Sequence, residues 1–195
     1  SMISENISHD SIIIDPKYDN LDGIDYVDIT YDIYSGVGDK KEKTGETVCR
    51  YAQFPNDDKG ILPRILMKLL SQRKLTRKKM AYKEVRTVDD NVYVGLILNK
   101  HDDDDHIEMV TETQEQIKIY NKNIKSISDV YNDFMKAVLD GLQLAYKITA
   151  NSLYGQVGAR TSPIYMKELA ASTTATGRNL IMKAKTFMET YYDAR

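Results

Sequence analysis

The chain has 195 residues, 42% of them hydrophobic and 29% charged, with a formal net charge of -2 at pH 7. That length suits one domain of ordinary size or two small ones, and the near-balanced charge gives the whole chain no general attraction to nucleic acid. The single cysteine, Cys49, excludes an internal disulfide framework and fits a reducing compartment, while no apolar run approaches the roughly 20 residues of a membrane span.

Residues 11–14 form a short β-branched run that ends at Asp15-Pro16, an extended approach to a turn. Residues 25–34 mix acids with aromatic and β-branched side chains, which predicts a strand with one wet face. A turn follows over 35–45 and a returning strand over 47–53, so 25–53 is predicted as an antiparallel hairpin. The alternating acids of the first strand are read as its solvated face and not as metal ligands.

Residues 56–60 punctuate the chain, and a helix is predicted from Ile61 to about Lys83 with Pro63 in its first turn, where a missing N–H costs nothing. Ile61, Ile65, Leu66, Leu69 and Leu70 supply its apolar stripe. From Ile61 to Lys83 there are eight basic residues and no acidic one, and Arg73 and Arg77 share a face. A second hairpin is predicted from 92–98 and 107–111. Its tip, residues 101–106, holds two histidines and four aspartates, but six contiguous residues cannot all turn inward to one ion, so it is read as a charged loop. Another helix is predicted to open at Ser128, capped by Ser126 or Ser128, and to run to Gly155 on apolar positions Val130, Phe134, Val138, Leu142 and Leu144. A loop over 156–164 precedes a final helix from about 167 to 191, whose middle, residues 170–177, is built of small side chains. The fold class is α+β.

The stretch Lys147-Ile148-Thr149-Ala150-Asn151-Ser152-Leu153-Tyr154-Gly155 carries the chemistry. At 100° per residue, Lys147, Asn151, Tyr154 and Gly155 fall on one helix face at i, i+4, i+7 and i+8. A point charge, an amide, a flat ring and a gap are the parts that hold a triphosphate and test a base pair. A plain solvated face with Gly155 as C-cap is the alternative reading of the same spacing. Two long helices lying antiparallel would let Arg73 and Arg77 face Lys147 and Asn151, with arginine forks for paired oxygens and lysine as a mobile charge. The chain contains no P-loop pattern, and no pair of carboxylates stands near this face to hold metal ions.

Lys147-x-x-x-Asn151-Ser152-Leu153-Tyr154-Gly155 resembles the K-x3-N-S-x-Y-G signature of family B DNA polymerases, the delta-like replicative and large-DNA-virus enzymes. Residues 60–66 and 69–74 are similar to the start of that family's first fingers helix, and Thr174-Ala175-Thr176-Gly177-Arg178 to the palm helix that follows the signature. The resemblance implies two long antiparallel fingers helices with an inserted β-hairpin, flanked by pieces of the palm. Residues 1–58 would be a palm segment, 59–156 the fingers, and 157–195 a palm helix segment. It implies that Arg73, Arg77, Lys147 and Asn151 contact the triphosphate of an incoming deoxynucleotide, and that Tyr154 and Gly155 line the nascent base pair and template base.

The family's two metal-binding carboxylate blocks are expected upstream of Ser1 and downstream of Arg195. No catalytic residue and no metal ligand is therefore assigned in this chain, and the Mg2+ ions of the parent enzyme would be held elsewhere. The partners implied are primer-template DNA, deoxynucleoside triphosphates and a sliding clamp engaged through the parent, with no membrane. The setting implied is intracellular, at a viral replication site or in the host nucleus. The length of the second hairpin points to a viral or divergent member. A reading from another class, a stand-alone helical module that binds nucleic-acid backbone through the basic 61–83 helix, predicts steeply salt-dependent DNA binding instead.

Overall fold

The computed structural model describes residues 2–36, 38–98 and 105–193. The architecture is α+β, as the sequence predicts, and the chain divides into two units: Ser1–Lys68 with Ala150–Arg195, and Leu69–Thr149. Two helices, α1 (Ile61–Met80) and α2 (Asp133–Gly158), each begin in one unit and end in the other.

The first unit is built on the predicted hairpin. Strands β1 (Asp25–Ser35) and β2 (Glu42–Gln53) pair antiparallel, with Asp28 opposite Arg50 and a register shift between Ile33 and Tyr34. The acids of β1 do lie toward solvent, and two of them are paired. Asp28 takes a fork from Arg50, with Nε to Oδ1 at 2.6 Å and Nη2 to Oδ2 at 2.7 Å, and Asp32 meets Lys43 at 2.7 Å. The other face of the hairpin meets α3 (Lys167–Asp193). Its core joins Ile7, Ile29, Cys49, Tyr51, Leu62, Val157 and Leu169, all buried. The Tyr51 hydroxyl finds a partner there, donating to Ser172 Oγ at 2.9 Å, and so avoids the cost of an unpaired buried polar group. Burying four such large side chains as Ile7, Tyr51, Val157 and Leu169 contributes on the order of 1.5–3 kcal/mol apiece.

Residues 6–10 clamp the start of α1. Asn6 Oδ1 accepts from Gly60 N–H at 2.7 Å, the Asp10 carboxylate accepts from Ile61 N–H at 3.1 Å through both oxygens, and Ser8 Oγ accepts from Leu62 N–H at 3.2 Å. Three of the N–H groups that a helix start leaves without intrahelical partners are thereby satisfied, and Asp10 complements the positive end of the helix dipole. This geometry also corrects the predicted stripe of α1. Leu62, Pro63 and Leu66 turn toward the core, while Ile61, Ile65 and Leu70 are exposed, because the clamp fixes the helix rotation from its first residue.

The second unit departs further from the sequence prediction. The inserted hairpin is part of a five-stranded antiparallel sheet, in the order β6-β5-β4-β3-β7. Its strands are β3 (Lys83–Thr87), β4 (Val92–Ile97), β5 (His106–Thr111), β6 (Gln116–Tyr120) and β7 (Ile124–Asp129). Four consecutive strands make a meander, and β7 returns to the free edge of β3. Val85, Met109 and Ile119 form its small core. Gly95 is required where β4 crosses β5, since a Cβ there would lie 2.1 Å from Val110 O. Residues predicted to open the motif helix belong to β7. Ser126 pairs with Arg86 and Ser128 with Glu84, so neither caps a helix. Asn132 does so, its Oδ1 accepting from Met135 N–H at 2.9 Å, and α2 starts at Asp133. At its other end α2 continues to Gly158, three residues past Gly155, which shortens the predicted loop. Residues 101–104 of the charged hairpin tip lie outside the described residues.

Candidate nucleotide-binding face

α2 carries the motif as a continuous helix, so Lys147, Asn151, Tyr154 and Gly155 do share one face over three successive turns. Gly155 sits inside the helix and is not its C-cap. All four are exposed. Among the described residues, the side chains of Lys147 and Asn151 make no hydrogen bond or ion pair, which leaves an ammonium and an amide free on adjacent turns.

Arg73 reaches α2 directly. Its Nε donates to Gln143 Oε1 at 3.1 Å, and Gln143 stands four residues before Lys147, on the same stripe of the helix. The structure therefore brings Arg73 to the turn preceding Lys147. Arg77, one turn further along α1, is exposed. It lines a groove of about 400 Å3 with Leu70, Arg73, Lys74, Lys78, Ala81 and Leu96. Four cationic and three apolar side chains line it, a combination that suits an anion with an apolar part.

Tyr154 is held by α3. Its hydroxyl lies 2.6 Å from Thr174 Oγ1, and Thr174 gives its only hydroxyl proton to Ala170 O at 2.9 Å. Tyr154 must then be the donor. The bond ties the ring to α3 while leaving 39% of the residue exposed, enough for a flat partner to rest on. Gln143 and Thr174 are the functional candidates that sequence reading missed. The first was within reach of the same i, i+4 count that picked out Lys147. The second needed the pairing of α2 with α3.

Metal chemistry has no donor set here. Among the described residues, no three His, Cys, Asp or Glu side chains converge as ligands, and Asp28 and Asp32 of β1 are paired with Arg50 and Lys43. The described residues do not fit a two-metal site.

Comparison with known proteins gives the family. The sequence profile of DNA polymerase family B matches residues 107–194, a span that includes the whole motif face of α2. Over 194 residues the chain is 68% identical to the DNA polymerase of Pyramimonas orientalis virus, across 100% of this chain and 16% of that protein. The chain belongs to DNA polymerase family B. It is also 34% identical over 220 residues to the DNA polymerase of Phaeocystis pouchetii virus, covering 99% of this chain and 16% of the relative. A shorter match, 39% over 85 residues, reaches the DNA polymerase delta catalytic subunit of Drosophila melanogaster, 43% of this chain and 8% of that subunit. The family B chain described here thus spans about a sixth of the length of these two viral relatives.

Proposed function

We propose that this chain supplies the part of a template-directed DNA polymerase that binds the incoming deoxynucleoside triphosphate and checks the nascent base pair. Arg73, Arg77, Lys147 and Asn151 hold the triphosphate, the arginines by bidentate forks and the lysine as a mobile charge. Tyr154 and Gly155 line the new base pair, the ring as a flat wall and the glycine as the place where no side chain intrudes. Residues 1–58 and 157–195 would be palm segments and 59–156 the fingers.

The observation that supports this reading most is the Arg73–Gln143 bond, which sets a guanidinium beside the turn that carries a free Lys147. Magnesium, held by carboxylates elsewhere in the parent, would neutralise phosphate charge during transfer. This chain's share is to bind, orient and exclude. Primer-template DNA and a sliding clamp would be partners of the parent enzyme.

In the full-length polymerase, Lys147→Ala should lower kcat/KM for single-nucleotide incorporation roughly a hundredfold, the usual loss for one charge-stabilising donor. Primer-template affinity, measured by filter binding under the same salt, should stay unchanged. Equal incorporation by mutant and wild type would overturn the assignment.

A further inference from the structure

The Arg73–Gln143 contact continues along the surface of α2. Gln143 Nε2 donates to Asp140 Oδ1 at 3.0 Å, so the chain runs Arg73, Gln143, Asp140, with both α2 residues on the same stripe at i and i+3. An amide can usually be turned over without changing its fit, but not here. Arginine is donor only and an ionised carboxylate acceptor only, so Gln143 must show its oxygen to Arg73 and its nitrogen to Asp140. Asp140 thereby fixes which end of the amide Arg73 meets.

The atom used on Arg73 matters equally. The bond engages Nε–H, one of five donors, and is the only hydrogen bond of that side chain among the described residues. The two terminal nitrogens keep their four N–H donors. A long cationic side chain normally loses rotamer freedom when it grips a ligand, and a guanidinium already held at Nε has lost part of it in advance.

From this geometry we infer that Gln143 is a positioning residue for nucleotide binding: oriented by Asp140, it holds Arg73 by Nε so that its terminal nitrogens face a phosphate-bearing ligand. The inference rests on the nucleotide-binding reading of Arg73. Gln143 itself touches no substrate. Replacing the amide by a carboxylate would be worse than deleting it, since the new charge would compete with phosphate for the same guanidinium.

The test is steady-state single-nucleotide incorporation by the full-length polymerase, with KM for the deoxynucleotide and kcat recorded separately. Arg73→Ala should raise KM strongly, which examines the underlying reading by itself. Gln143→Ala, a substitution that favours the helix, should raise KM roughly threefold to tenfold with kcat little changed, about the value of one hydrogen bond. In the Arg73→Ala background the same change should add nothing, because its only route is through the missing guanidinium. Asp140→Ala should give a smaller rise in KM, and Asp140→Asn, which keeps an acceptor for Gln143, should restore the wild-type value. Wild-type KM for Gln143→Ala, or effects of Gln143→Ala and Arg73→Ala that multiply, would overturn the positioning role while leaving Arg73 in its place. Wild-type KM for Arg73→Ala would instead remove the reading beneath it.

Discussion

At the scale of single residues, the chemistry of the first unit concentrates where Tyr31, Cys49, Tyr51 and Ser172 meet. Burial, followed by the neighbouring Cys49 and Glu168, pushes Tyr31 up to about 12, and burial also raises Tyr51 and the Cys49 thiol. These groups are neutral in the fold. The unfolded chain releases the Tyr31 proton near pH 10, so above that the unfolded state binds fewer protons than the folded one, and stability falls as pH rises. The contribution of neutral Tyr31 is fully present below pH 10 and is lost between 10 and about 12. Thermal unfolding followed by circular dichroism should show a midpoint that drops steeply across that window. Tyr31→Phe should make the drop shallower, and an unchanged slope would mean that Tyr31 does not keep its proton in the fold. None of this was legible in the sequence. Tyr31 and Cys49 are simply members of two separate strands until the register, with Tyr31 opposite Thr47 and Cys49 opposite Ile29, sets them diagonally on one face and α3 covers them.

At the scale of elements, the clamp on α1 is the most exposed to a designed test. Gly60 precedes the helix, and a Cβ there would lie 2.7 Å from both Ser8 Cβ and Asp10 Oδ1. Gly60→Ala should displace the very side chains that cap the helix and cost on the order of 1–3 kcal/mol by crowding. Asp10→Ala, which removes the cap without crowding, should cost about 1 kcal/mol. Urea unfolding of the two variants would check the order. A Gly60→Ala variant as stable as wild type would show that residues 6–10 can yield. Helices and the first hairpin could be read from the sequence because period and punctuation agreed, with Pro63 in the first turn and strands bounded by Gly and Asp. The sheet of the second unit could not. β3 and β7 are five and six residues long, three of the six residues of β7 are Ser or Lys, and Ser126 and Ser128 are of a type that favours helix caps. β7 is made a strand only by its long-range pairing with β3, and no local signal carries that information.

At the scale of the whole molecule, Lys147–Gly155 lies within one helix, as its spacing predicts, whereas what surrounds that helix does not follow from spacing. Two helices lying antiparallel would let Arg73 and Arg77 face Lys147 and Asn151, and the structure brings Arg73 to Gln143, one turn before Lys147 on the same stripe. Large apolar side chains of α2 and α3 lie open in this chain: Phe134 is 73% exposed, Ile181 71% and Phe187 68%. Periodicity shows which side of a helix is apolar but not what covers it, and the relatives that match this chain are about six times as long. No helix among the described residues is long and apolar enough to cross a membrane.

Cys49 gives the first unit a built-in clock. It is the sole thiol of these 195 residues and lies buried under α3, beside Tyr31 and Ser172. An alkylating reagent can reach it only when hairpin and helix part, so its modification rate under native conditions counts those openings. In the 195-residue chain, labelling by iodoacetamide followed by mass spectrometry should be far slower in buffer than in urea. Tyr51→Phe, by loosening the latch to Ser172, should speed the native rate. Rapid labelling of the unmutated chain in buffer would show a hairpin that does not stay closed over its core. The same measurement in the parent polymerase, with its other thiols assigned by peptide, would time that opening with and without nucleotide.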